Sequence, residues 1–229
     1  MPQKMLVYIG TYTRTTSKGI YVYRFDPSSG ALEYVSEAAG LSNPSFVALH
    51  PSGRYLYSVN ELGQFEGKPS GGVSAFAIDP ATGGLTLLNQ QPSVGTGPCH
   101  ISVERTGKYA LVANYAGGSV TMLPIEADGK LGAPCDFVRD EGSSVNLSRQ
   151  KAPHAHSINP DPTNRFAYVP DLGTDKVVIY QLDLVNGKLA PNDPPFARVK
   201  AGSGPRHMDF HPNGKFAYVI NEIGSTITV

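Results

Sequence analysis

SFVALHPSGRYLYSVN (residues 45–60) reads as two short strands closed by a tight turn. Apolar residues fill both arms, and His50-Pro51-Ser52-Gly53 supplies turn formers between them. Asn43-Pro44 precedes the stretch and Glu61 follows it. The same grammar returns after Gly97-Pro98, Ala152-Pro153 and Gly204-Pro205. These four prolines lie 54, 55 and 52 residues apart. From Pro44 to Asn60, Pro98 to Asn114 and Pro205 to Asn221 is 16 residues each time. From Pro153 to Asp171 is 18, and the two extra residues are assigned to the turn in NPDPTNRF. A period near fifty with short strands means stacked β-units, most often the blades of a propeller. The expected fold is therefore all-β, a β-propeller, with residues 1–229 as a single domain of about four and a half blades.

Each unit also carries an outer hairpin. GGVSAFAIDPATGGLTLLNQQ (71–91) is the clearest, with Asp-Pro and Gly-Gly at its turn. KGIYVYRFDPSSGALEYV, GSVTMLPIEADGKLGAP and DKVVIYQLDLVNGKLAPN repeat it. No segment has a helical period. Residues 136–153 are expected to be one long non-strand insertion, and long loops in compact domains are often functional. MLVYIGTY (5–12) reads as the second strand of a blade, and STITV (225–229) as the start of a third. On that reading the chain stops before a ring would close, at least two blades short.

Composition narrows the function. The formal net charge is zero, from 19 basic and 19 acidic residues. That excludes a general basic field for nucleic acid or an anionic membrane, so any anion binding must be local. Twenty-five glycines and 19 prolines suit a turn-rich β-protein. Cys99 and Cys135 have no metal-type spacing and indicate no disulfide framework. No stretch approaches the roughly 18 apolar residues of a membrane span. The start, MPQKMLVYIGTYT, lacks a signal-peptide core, so the default location is the cytoplasm.

Aligned on proline, the next residues are Ser45, Cys99, His154 and Arg206. Two further on are Val47, Ile101, His156 and Met208. In a strand i and i+2 share a face, so His154 and His156 are expected to point the same way. After the second-strand Asn or Asp come Glu61, Tyr115, Leu172 and Glu222. Polar groups gather in the third and fourth units: His154, His156, Asp171, Arg206, His207 and Glu222, with Arg149 and Lys151 nearby. Bland roles compete with chemical ones. His100 and His207 suit a structural bond between blades, and His50 and His211 sit in His-Pro turns. The i, i+2 histidines lack a third ligand, so no metal site is expected. Cys99 and His100 are strand neighbours facing opposite ways, which disfavours a nucleophile and base. Glu61 and Glu222 share VNEL and INEI contexts and could each cap a strand end. Arg206 is the strongest candidate, because a guanidinium near a channel mouth suits bidentate contact with carboxylate or phosphate.

Taken together, VYIGTYT (7–13), PCHISV (98–103), ANYAGGSV (113–120), RQKAPHAHSINPD (149–161), VPDLGTDKVVIYQL (169–182) and GSGPRHMDFHPNGKFAYVINE (202–222) resemble the β-propeller 6-phosphogluconolactonase (lactonase) family. The resemblance runs along essentially the whole chain, with the motifs in order. It implies a seven-bladed propeller, of which this chain matches the first two-thirds. The family includes fungal muconate-lactonizing enzymes, in which a His, an Arg and a Glu on neighbouring inner strands are implicated. The Arg and Glu fall on Arg206 and Glu222. The His falls on His154 or His156.

The resemblance implies hydrolysis of 6-phosphoglucono-δ-lactone to 6-phosphogluconate. A lactone is an activated ester, so a placed water, a base and charge stabilisation suffice, without metal or organic cofactor. Glu222 or the His154/His156 pair would be the base. Arg206 would meet the oxyanion or a phosphate, and Arg149, Lys151, His207, Asp171 and His100 would line the substrate. A muconolactone or unphosphorylated sugar lactone is the nearest alternative, and a non-catalytic binding platform the next. The expected partner is a small sugar lactone, with no protein partner, nucleic acid or membrane.

Overall fold

The computed structural model describes residues 5–229. Residues 1–4 of the expected domain lie outside that range. Eighteen strands form five antiparallel sheets, and no helix occurs among the described residues. The first sheet holds β1 (Met5–Ile9), β2 (Gly19–Phe25) and β3 (Leu32–Ala39). The second holds β4 (Val47–Leu49), β5 (Tyr55–Asn60), β6 (Gly72–Ile78) and β7 (Leu85–Pro92). The third holds β8 (Pro98–Val103), β9 (Tyr109–Asn114), β10 (Ser119–Pro124) and β11 (Asp136–Arg139). The fourth holds β12 (Asn159–Pro160), β13 (Phe166–Asp171), β14 (Lys176–Asp183) and β15 (Lys188–Arg198). The fifth holds β16 (Pro205–Phe210), β17 (Ala217–Asn221) and β18 (Thr226–Thr228).

Every sheet is a simple meander, as blades require. Successive sheets meet along their first strands, β4 against β8 and β8 against β12, while β13 meets β16. The core lies between sheets, so the middle strands are apolar on both faces. Leu56 and Phe76 pack with Ile20 of the first sheet. Their neighbours Tyr57 and Ala75 face the other way, onto Ile101, Ala110 and Val112 of the third. Leu111 and Ala113 turn onward to Ala155, Ile158 and Val169 of the fourth. A fully buried leucine such as Leu111 is worth about 2–5 kcal/mol against alanine.

Two expectations need correcting. Residues 136–139 are a strand, the outer edge of the third sheet, where Val138 pairs with Val120. The true connection begins after Arg139, because Phe137 and Val138 carry a strand's apolar content.

The second correction concerns the fourth unit. Its first turn is no longer than the others. His50 N donates to Tyr55 O, Glu104 N to Tyr109 O, Asp161 N to Phe166 O and His211 N to Phe216 O. In each turn the fourth residue has positive φ: Gly53, Gly107, Asn164 and Gly214. Asn is the non-glycine residue that best tolerates that conformation. Counting six residues back from each turn gives Pro44, Pro98, Ala155 and Pro205. The pairing agrees, since Pro98 faces Asn114, Ala155 faces Asp171 and Pro205 faces Asn221. The two extra residues are therefore Pro153-His154, ahead of the strand. His156, not His154, holds the position of Cys99 and Arg206.

Candidate active site

The corrected alignment puts Ser45, Cys99, His156 and Arg206 at one level of four neighbouring sheets. The pairing slips there. Between Pro98 and His100, and between Pro205 and His207, the register shifts, leaving Cys99 and Arg206 as the extra residues. Ala155 faces Asp171 while Asn159 faces Tyr168, so the fourth sheet slips by one residue too. Such bulges re-aim a side chain that regular pairing would fix to one face. Here three bulges turn a thiol, an imidazole and a guanidinium toward one mouth.

Glu222, directly after β17, is the hub. Arg206 Nε donates to its Oε2 at 3.0 Å. Arg149 reaches across from the 140–153 connection and donates to Oε1 at 2.6 Å. His156 Nε2 lies 3.7 Å from Oε2. Burial pulls the Glu222 carboxyl upward, but Arg149, His156 and Arg206 outweigh it and hold it below the usual range. It is an ionised carboxylate at neutral pH. His156 is pushed down to about 4, first by burial and then by Arg206. It is a neutral imidazole beside an anion, which favours the protonated form whenever a proton arrives.

Tyr115, which the sequence reading left unassigned, knits this group together. Its hydroxyl accepts from Arg149 at 3.3 Å, and its ring meets His156 edge-on at 5.1 Å. His154 stacks on the same ring at 4.6 Å, with Nδ1 2.9 Å from Tyr115 O. His154 thus stands one layer behind His156, with its backbone N bonded to Asp171. A tyrosine directly after a strand-end Asn, as Glu222 is, was the available signal.

The other expected residues fall elsewhere. Asp171 is fully buried, and its Oδ1 accepts from the backbone N of His154, Gly173 and Thr174. It closes a strand end. His100 and His207 lie under the mouth with Phe46. Their ring centroids are 4.4 Å apart for Phe46 and His100, and 5.4 Å for His100 and His207. His100 Nδ1 accepts from Ile158 N, and burial pushes its pKa down to about 3. The pair forms an aromatic floor. Lys151 is exposed and makes no ion pair among the described residues. Cys99 is enclosed by Ala155 O, His156 O and His156 Nδ1, and burial pushes its thiol up to about 12. A thiol so protonated is no nucleophile. Among the described residues no group of three or more His, Cys, Asp or Glu could hold a metal.

A cleft of about 560 Å³ adjoins Arg206 and Glu222, lined also by Ile220, Thr226 and Ile227. Its apolar wall is the open face of the fifth sheet. The equivalent faces of the second to fourth sheets are covered by the next sheet, so this cleft reflects sheet packing and the polar mouth is the better site.

Fold and site define a β-propeller with a guanidinium–carboxylate–imidazole array at the starts of its sheets' first strands. The chain belongs to the lactonase, 7-bladed β-propeller family, which it matches over residues 6–229. It is 37% identical over 224 residues to 6-phosphogluconolactonase of Bacillus subtilis, covering 98% of this chain and 61% of that one. It is 34% identical to 6-phosphogluconolactonase of Formosa agariphila, covering 97% and 63%. The structure superposes on the periplasmic gluconolactonase PpgL of Pseudomonas aeruginosa with a TM-score of 0.85 at 35% identity, covering 96% and 61%. The chain thus spans about three-fifths of the length of the curated relatives it matches. No helix among the described residues is long and apolar enough to cross a membrane.

Proposed function

We propose that the protein hydrolyses 6-phosphoglucono-δ-lactone to 6-phosphogluconate at this mouth, in the cytoplasm and without a cofactor. The observation that carries the reading is a neutral His156 beside an ionised Glu222 that two guanidiniums hold. The named relatives support the substrate class. His156 removes a proton from water as the water oxygen attacks the lactone carbonyl. Glu222 stabilises the imidazolium that forms. Arg206, bonded to Glu222 only through Nε, presents its terminal N–H groups to the developing oxyanion. The ring C–O bond then breaks, and His156 returns the proton to the departing alkoxide. The products are a hydroxyl and a carboxylic acid, which ionises.

One observation favours an unphosphorylated sugar lactone as a second reading. Arg149 and Arg206 each spend part of their charge on Glu222, which leaves less of it for a phosphate. Acid release followed at constant pH with 6-phosphoglucono-δ-lactone and glucono-δ-lactone tests both. Faster turnover of the phosphorylated lactone, lost in Arg206→Ala, is expected. Equal rates for the two would favour the second reading, and no turnover of either would sink both.

A further inference from the structure

The second sheet carries a glutamate at the register position of Glu222. Glu61 follows Asn60 as Glu222 follows Asn221. Ser45 follows Pro44 as Arg206 follows Pro205. The contacts are parallel as well. Ser45 Oγ donates to Glu61 Oε2 at 2.7 Å, where Arg206 Nε donates to Glu222 Oε2 at 3.0 Å. Tyr12, between β1 and β2, donates its hydroxyl to the same Glu61 Oε2 at 2.7 Å. The two glutamates share one mouth. Phe46, next to Ser45, lies 5.7 Å ring to ring from His207, next to Arg206, and Cys99 touches His156.

Their surroundings differ in charge. Glu222 is met by two guanidiniums. Among the described residues no Lys, Arg or His lies within ion-pair distance of Glu61. Its hydrogen bonds come from two neutral hydroxyls, both on Oε2, so Oε1 is left for an incoming donor. A carboxylate of that kind keeps an acceptor oxygen free and needs no cation displaced to use it, and sugar hydroxyls are donors that can fill it.

We propose that Glu61, positioned by Tyr12 and Ser45, binds the ring hydroxyls of a polyhydroxylated lactone and selects for it over plain lactones. The proposal rests on the lactone reading of the Arg206–Glu222 side. That side grips the carbonyl, and Glu61 reads the rest of the ring. Glu61 is a specificity-determining residue, and Tyr12 and Ser45 position it.

Lactams test this without turnover, because they copy the ring and do not hydrolyse. Binding of D-glucono-δ-lactam and δ-valerolactam to the chain would be measured by calorimetry or NMR titration, with melting recorded for each variant. The polyhydroxylated lactam should bind the wild-type chain more tightly. Glu61→Gln should weaken it about tenfold or more, the loss expected for a hydrogen bond to a charged group. δ-Valerolactam should be unaffected, and Tyr12→Phe should give a smaller loss of the same kind. A Glu61→Gln variant that weakens both lactams alike, or neither, would overturn the proposal. Arg206→Ala separates the two readings. If it leaves δ-valerolactam binding unchanged, the carbonyl assignment fails, while the ratio between lactams still judges Glu61. If the wild-type chain binds neither lactam, both readings fall.

Discussion

The second and fifth sheets place a glutamate at the same point of the same β-unit, yet the two carboxylates live in opposite company. Glu222 is held by Arg206 and Arg149 and faces His156. Glu61 is held by the hydroxyls of Ser45 and Tyr12. The repeated backbone sets where a carboxylate stands. One ring position, serine in one sheet and arginine in the other, sets what it can do. A propeller thus supplies equivalent seats, and chemistry begins where occupants stop being equivalent.

The sharpest way to break that comparison is to empty the two ring positions in turn. Arg206→Ala should lower kcat for lactone hydrolysis by about 10²–10³, the usual cost of an oxyanion donor. Ser45→Ala should cost kcat less than tenfold and act chiefly on KM. Comparable losses in kcat would show that the two sheets are not specialised as described. Glu222→Gln comes next, with an expected loss of about 10²-fold in kcat through the unsupported imidazolium.

NMR titration of His156 sharpens the same contrast through charge. Arg206 pushes its pKa down and Glu222 pulls it up. Arg206→Ala should therefore raise the pKa from about 4 toward the ordinary value, and Glu222→Gln should lower it further. Opposite signs in the two variants are required. In the wild type, the neutral base persists until pH falls through about 4, so catalysed hydrolysis should stay level near neutrality and fail in acid. Stability follows the same groups. His100 and His156 have depressed pKa values in the fold, so the unfolded chain takes up their protons first. Melting temperature should fall as pH drops below about 6.5, through about 4 for His156 and about 3 for His100. Asp140, whose carboxyl burial pushes up to about 7, gains stability on protonation in the same window, so the test uses Asp140→Asn: there a melting curve unchanged from neutrality to pH 4 would contradict the buried, neutral state of both rings.

The smallest effect belongs to Cys99, whose sulfur touches His156. With its thiol pushed up to about 12, it should resist iodoacetamide at pH 8 in the folded protein and react once unfolded. Rapid labelling of the native chain would mean the mouth is more open than the packing around the sulfur implies.

Much of this was legible in the sequence. The fifty-residue period gives the blades, because each unit needs its neighbours to bury both faces of its middle strands. Arg206 stands out because its position is uncharged in the other units, and Glu222 because only the second unit, at Glu61, repeats its carboxylate. The fourth unit misaligns on proline because a proline stands six residues ahead of the first turn in the other three units only. In the fourth, Ala155 carries the pairing, and Pro153 stands two residues ahead. Aligning turns would have found this. Glu104-Arg-Thr-Gly107 and Asp161-Pro-Thr-Asn164 have equal length, and each opens with a carboxylate that accepts the turn's own N–H groups. Tyr115 carries a signal in its place directly after Asn114, but the partner of Arg149 carries none, because it depends on how sheets distant in sequence face one another. Nothing local shows that Glu222, 73 residues on, takes up the charge of Arg149.

That long reach has an evolutionary consequence. The 140–153 connection is anchored by its own bonds, from Ser144 to Asp175 and from Gln150 to Leu172 O, so it keeps its shape apart from the ladders. Only its tip, through Arg149, enters the electrostatics of Glu222. A lineage could exchange that tip and reset the affinity of the mouth for anions without disturbing one backbone pairing. Diversification among relatives of this chain should therefore be sought in the 140–153 connection over the fourth sheet, where a single residue tunes chemistry that the strands merely house.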